Sequence, residues 1–170
     1  MDKDLEKEIN SILVELNRFS ESISYFGPAI LDLRIEEFEK LIQHHLPTDF
    51  KFFLSRHNGF SIAGIEVYGL DNSLMGASLS EVYKFEHFIA SKKMVTEFIP
   101  FSADGFGNHY CLDLSRLENG TSPIVFWQHD FEYDHISEIE TCNDSFHKWL
   151  KEVMIGWALE EYNYDGSPAI

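Results

Sequence analysis

Apolar residues recur at helical intervals towards both ends of the chain and at strand intervals in its middle. From Lys3 to Phe19, the residues Leu5, Ile9, Ile12, Leu13, Leu16 and Phe19 fall on one stripe. Glu6, Lys7, Glu8, Glu15 and Arg18 mostly take the other face, which predicts an amphipathic helix packed on a core. Gly27-Pro28 breaks the chain after it. A second helix is predicted from about Arg34 to His44, with Ile35, Phe38, Leu41 and Ile42 as its apolar stripe. Leu46-Pro47 ends it and starts a third, because proline suits the first helical position, where the N–H has no partner in any case. Asp49 then lies in a first turn, where the helix dipole favours an anion. Phe50, Phe53 and Leu54 repeat at helical spacing, and His57-Asn58-Gly59 stops the helix with Asn58 or Gly59 in the left-handed cap.

The period changes to two from Phe60 to Leu70, where Ile65 and Val67 alternate with Glu66 and Tyr68 as in a half-exposed strand. A turn is expected at Asp71-Asn72-Ser73. Ser78-Leu79-Ser80-Glu81 reads as a capping box, followed by a short helix marked by Val82, Phe85 and Ile89. Three β-prone runs follow: Phe98 to Phe101, Tyr110 to Leu114 and Ile124 to Trp127. Asp104-Gly105-Phe106-Gly107-Asn108 fills the first gap with residue types that tolerate positive φ or close a turn through a side chain. The three runs predict an antiparallel meander with the helices packed on one face. Gln128 to His135 alternates acids with aromatics in a hairpin or loop. From a cap at Asn143, the residues Phe146, Trp149, Leu150, Val153, Met154 and Trp157 predict a long helix, and Glu160 to Ile170 a frayed acidic tail.

Composition narrows the class. The 170 residues suit one domain, and 44% apolar with 15% aromatic content is ample for a core. No run approaches the roughly 20 apolar residues of a membrane span. The charged start Met1-Asp2-Lys3-Asp4 is unlike a signal peptide. Cys111 and Cys142 do not form a disulfide framework, and free thiols suit a reducing cytoplasm. The net charge is −16. From Pro123 onward, ten acidic residues face only Lys148 and Lys151, so half of that charge sits in the C-terminal third. Such a surface repels phosphate backbones and anionic lipid, which disfavours nucleic-acid and membrane partners, and it attracts cationic proteins.

Candidate chemistry is sparse. No G-x-S-x-G elbow surrounds Ser102, and Cys111 lies on a predicted strand among apolar residues, as a buried structural thiol would. His129, Asp130, Asp134 and His135 carry ligating side chains at a spacing that matches no zinc framework. Gly105-Phe106-Gly107 is half of a dinucleotide fingerprint and is not placed between strand and helix. We therefore expect an α+β binding protein without metal, cofactor or catalytic residues.

Two blocks carry a family resemblance. Glu39, Leu46-Pro47, Asp49-Phe50, Leu54 and Asn58-Gly59 form the first; Ile99-Pro100-Phe101, Asp104-Gly105, Gly107-Asn108 and Leu112-Asp113 form the second. In order and spacing they resemble the SUKH superfamily, first noted in fungal cell-wall regulators and widespread in bacteria. The match covers about residues 35–150, leaving the N-terminal helix (3–19) and the acidic tail (160–170) outside the core of a single domain spanning residues 1–170. The expected fold is α+β, a largely antiparallel sheet of about five strands with helices on one side and at its ends. The resemblance implies an immunity protein that neutralises a polymorphic or contact-dependent toxin, often a basic nuclease, by stoichiometric binding. A regulatory adaptor like the fungal members is the alternative. The expected binding face is Glu66 and Tyr68 with Asp130, Phe131, Glu132, Tyr133 and Asp134. Asp104, Gly105, Gly107, Asn108 and Asp113 are expected to build a structural turn; a deep pocket lined by Asp104, Asn108 and Asp113 would instead indicate a ligand or a reaction. Nothing in the sequence sets the oligomeric state.

Overall fold

The computed structural model describes residues 3–71, 74 and 76–170. Met1 and Asp2 of the charged N-terminus, and Asn72 and Ser73 of the turn expected after Leu70, lie outside the described residues. The order is α1 (Lys3–Leu16), β1 (Ser24–Phe26), α2 (Asp32–Ile42), α3 (Thr48–Arg56), β2 (Phe60–Ile62), β3 (Ile65–Val67), α4 (Leu79–Lys84), β4 (Phe98–Ala103), β5 (His109–Asp113), β6 (Ile124–Trp127), β7 (Glu140–Asn143), α5 (Phe146–Trp149) and α6 (Gly156–Glu161). The class is α+β and the strands pair antiparallel, but they divide between two sheets, β1-β2-β3 and β4-β5-β6-β7, where about five strands in one sheet were expected. Ala63-Gly64 folds the 60–70 segment into the β2–β3 hairpin, with Ala63 at φ 50 and Gly64 at φ 84. Strands β1 and β7 carry too few apolar residues for the sequence pattern to show them.

Strand alternation explains the apolar runs of the meander. Ile99, Leu112 and Ile124 pair across β4, β5 and β6 and face the main core. Phe98, Cys111, Val125 and Trp127 point the other way into a second cluster with Met94 and Ile139. Both faces are therefore buried: the helices pack on the main-core face, as expected, and Met94 and Ile139, which lie outside the helices, cover the other. A strand buried on both sides reads as a continuous apolar run. Pro100 is accommodated because β4 is an edge strand, where a missing N–H leaves no ladder gap. The β4–β5 register shifts between Pro100 and Ser102, and the bulged Phe101 turns its carbonyl outward to accept from the Tyr68 amide at 2.9 Å. That bond joins the two sheets.

The main core is aromatic at its centre. Phe146 meets Phe50 at 4.8 Å and Phe101 at 5.2 Å between ring centroids, and Phe101 meets Trp149 at 4.8 Å, all near perpendicular. These edge-to-face contacts add to the burial of large rings. Asp49 is fully buried beneath them. One of its oxygens accepts from the Phe50 amide at 2.9 Å, and the other from the His147 amide at 3.0 Å and ring Nδ1 at 2.9 Å. Its partner therefore lies on α5, not merely in the dipole of its own helix.

Several boundaries differ from the sequence pattern. Helix α1 stops at Leu16, although Phe19 is buried as expected. Leu41 is half exposed, because α2 buries only Ile35, Phe38 and Ile42. Gly59, at φ 81, takes the left-handed position after α3. The capping box at Ser78 and Glu81 is present, but α4 ends in a π-helical turn, Phe85–Ile89, that leaves Phe85 and Ile89 exposed. Ser145, not Asn143, caps α5. A π-helical stretch, Leu150–Ile155, joins α5 to α6 and inserts one residue into the repeat. Ile155 and Ala158 thus replace Trp157 in the core, and Trp157 is 49% exposed. The tail is ordered: Tyr164 accepts the Ser20 amide through its carbonyl at 2.7 Å, donates to Glu15 at 2.8 Å and lies 3.8 Å beneath the Arg18 guanidinium.

Glu39 ties α2 to α3. Its carboxylate accepts from the Leu46 amide at 2.8 Å and from Lys51 Nζ at 2.9 Å. Burial pushes this carboxyl up, but those bonds outweigh it and hold the group below the ordinary glutamate range. A depressed native value stabilises the fold above the unfolded value and loses that contribution as pH falls through the native one. Glu39→Gln is therefore expected to cost about 1–3 kcal/mol at pH 7. The gap from the parent protein narrows as pH falls through the lowered native value of Glu39, as urea denaturation across pH will show. Phe146→Ala is expected to cost about 3–5 kcal/mol in the same measurement, independently of pH.

Candidate functional site

The loop between β4 and β5 is built by one carboxylate. Asp104 Oδ1 accepts the Phe106 amide at 2.7 Å and the Asn108 amide at 3.1 Å, and Oδ2 accepts the Asn108 side-chain amide at 2.7 Å. Burial pushes the Asp104 carboxyl up, yet these three donors hold it below the usual carboxylate range. Asn108 then reaches outward. Its Oδ1 accepts the His129 backbone amide at 3.2 Å and lies 3.0 Å from the His129 ring Nδ1. The turn thereby clamps the start of the 128–135 loop. Asp113 stands apart from this arrangement, at the far end of β5. It is buried, accepts from the Ser115 amide at 3.1 Å and pairs with Arg116 Nε at 2.6 Å. No pocket among the described residues is formed by Asp104, Asn108 and Asp113 together.

A cleft of about 370 Å³ does open on the other side of the turn. The β2–β3 hairpin supplies Glu66 and Tyr68, the turn supplies Asp104 and Gly105, β5 supplies Tyr110, and α6 supplies Trp157. Glu66 is half-buried, whereas Tyr68 is only 7% exposed and is no projecting anchor, which corrects its expected place on an open face. Its neighbour Phe101 draws its backbone into the sheet junction. Burial pushes the Tyr68 hydroxyl far up, and the charges of Glu66, Cys111, Glu86 and Asp104 add to this. Burial likewise takes Tyr110 up to about 12, with Cys142, Asp104 and Glu140 contributing. Both phenols stay protonated at any ordinary pH and keep their O–H donors.

The acidic loop follows from the clamp. Asp130, Glu132 and Asp134 are exposed, and Phe131 is 49% exposed. Tyr133 is partly buried: its ring lies 5.3 Å from Trp127 and 4.9 Å from Phe131, and its hydroxyl accepts the Gln128 amide at 3.0 Å. Lys92 Nζ sits 4.6 Å from the Tyr133 ring and 4.9 Å from that of Trp127, so this cation is stacked inward. Phe131 is thus the projecting aromatic of the loop and Tyr133 its support. Glu66 and Tyr68 gather with Asp104 at the cleft; Asp130 to Asp134 lie beyond His129, on the other side of the turn. Sequence reasoning missed Trp157 and Tyr110 as walls of the cleft, and considered His129 only as a metal ligand, not as the residue that Asn108 clamps. Trp157 kept core periodicity, and nothing local marks the π-helical stretch that expels it.

Cys111 is buried and burial pushes its thiol well up, which removes nucleophilic character at neutral pH. Among the described residues, no three His, Cys, Asp or Glu side chains converge as a metal site, and no helix is long and apolar enough to cross a membrane.

A family model described as SMI1-KNR4 cell-wall, SUKH_6, matches residues 32–150. Among solved structures, a crystal structure of a protein from Pseudomonas syringae pv. tomato is similar at a TM-score of 0.61 and 16% identity. The match covers 86% of this chain and 98% of that one, and at this identity it speaks for the fold alone.

The two turn glycines differ in what they permit. A Cβ on Gly107, at φ 92, would stand 3.0 Å from the His129 ring, whereas a Cβ on Gly105, at φ 84, would meet nothing within 4 Å. Both alanine variants carry the positive-φ strain of about 1–2 kcal/mol. Gly107→Ala is expected to cost more than Gly105→Ala in urea denaturation, and to shift the His129 ring resonances in NMR where Gly105→Ala leaves them in place.

Proposed function

We propose, from the premise that the chain belongs to the SUKH superfamily through its SMI1-KNR4 cell-wall domain, that it is an immunity protein which binds and neutralises a basic bacterial toxin without catalysing a reaction. One observation carries this reading. The Asp104–Asn108 turn is fixed by hydrogen bonds; it contributes Asp104 to the Glu66 cleft and, through His129, clamps the start of the loop that carries the exposed Asp130, Glu132 and Asp134. The Lys92 ammonium is stacked on Trp127 and Tyr133. A preformed negative face speeds capture of a cationic partner and fixes its orientation. Phe131 offers apolar contact area within it.

A second reading, a regulatory adaptor for a cellular protein, is favoured by a separate feature. Phe88 and Ile89 are each 67% exposed on the π-helical turn after α4, an apolar patch suited to a partner bound without charge steering.

Co-expression with the product of the neighbouring gene, scored for rescue of growth, separates the two readings. In the rescued pair, the triple variant Asp130→Lys, Glu132→Lys, Asp134→Lys is expected to slow association at least about 10-fold at low salt and to flatten its salt dependence. An unchanged rate and salt slope in stopped-flow binding would remove this face from the interface.

A further inference from the structure

We propose that the cleft between the β2–β3 hairpin, the Asp104 turn and α6 is a receptor for a single arginine side chain of the bound partner. This deepens the proposed function and rests on it for the partner's identity, not for the binding chemistry. Glu66 and Asp104 both line the cleft, and none of its lining residues is Lys, Arg or His, so its potential favours a cation. Asp104 Oδ1 already accepts two hydrogen bonds, but Oδ2 accepts one and keeps a lone pair for a further donor.

The remaining walls select among cations. Tyr68, Tyr110 and Trp157 present aromatic surface, against which a guanidinium stacks more readily than a strongly hydrated ammonium. Tyr68 is the decisive group. It is 93% buried by its 7% exposure, the little of it that stays accessible faces this cleft, and its hydroxyl has no hydrogen-bond partner among the described residues. That hydroxyl is available to hydrogen-bond a group that enters the cleft. A guanidinium brings five N–H donors in a fixed fork, enough to reach two carboxylates and a phenol oxygen together. A volume of about 370 Å³ lies at the small end of ligand pockets, suited to one side chain and too small for a large cofactor.

The test needs no toxin. N-acetyl-arginine methylamide is titrated into the ¹⁵N-labelled 170-residue chain, with the neutral citrulline analogue and the lysine analogue in parallel, while the Trp157 indole N–H and the Gly105 amide are followed by NMR. Saturable shifts at both positions with arginine are expected, with lysine at least about 3-fold weaker and citrulline without effect. Glu66→Gln and Trp157→Ala, each with an otherwise unchanged spectrum, are expected to weaken the arginine response at least about 5-fold; Tyr68→Phe adds the hydroxyl-specific arm. Equal responses to arginine and citrulline, equal binding of lysine, or shifts that bypass Trp157 and Gly105 would overturn the assignment. Growth rescue with a failed titration removes the arginine cleft alone. A saturable titration without rescue removes the toxin reading alone.

Discussion

The buried Asp49 carboxylate fixes the relation between the two ends of the chain. It starts α3, yet it takes two donors from His147, 98 residues away, one from the backbone and one from the ring. The His147 Nε2 lies 3.3 Å from Glu8 of α1, so three helices converge on one polar knot beneath the aromatic core. Breaking such a buried pair by removing one member costs about 3–5 kcal/mol, because the other member is left without compensation. The knot pins the start of α5, and from there the rod over 146–161 places Phe146 and Trp149 inside the core and Trp157 at the cleft. The candidate site thus depends on a contact at the opposite end of the same helix.

A second constraint brings the other wall of the cleft into place. Pro100 and the bulge at Phe101 interrupt β4 where it would otherwise pair regularly, and the freed carbonyl takes the Tyr68 amide. The three-stranded sheet docks on the four-stranded one at this point. Tyr68 is buried at the junction, Glu66 lies two residues before it, and Asp104 follows immediately after β4. A proline and a register shift, which weaken a ladder, here position charged and aromatic groups from separate sheets around one opening.

The electrostatics of the surface follow from the same economy of donors. Asp104 and Glu39 stay ionised despite burial because backbone amides, the Asn108 side chain and Lys51 satisfy them. Their hydrogen bonds act structurally while their charges remain in place. The family motif is therefore largely a set of fasteners: Glu39 holds the α2–α3 connection, Asp49 holds α5, and Asp104 with Asn108 holds the loop that carries Asp130, Glu132 and Asp134.

Local sequence determined the class of the fold, the meander of Phe98 to Trp127, the capping box at Ser78 and the turn at Asp104 to Asn108, because period, cap chemistry and positive-φ residues are properties of neighbours along the chain. It also set the acidity of the C-terminal third. Tertiary structure decided what neighbours cannot encode. The two sheets meet where the Tyr68 amide bonds the Phe101 carbonyl, and the docking of Tyr164 on Glu15 and Arg18 spans nearly the whole chain. Trp157 and Ile155 exchange places because a π-helical stretch over Leu150–Ile155 shifts the helical repeat by one residue. The cleft belongs to this second group, since its walls come from a hairpin, a turn, a strand and a helix that meet only when the long-range contacts are made.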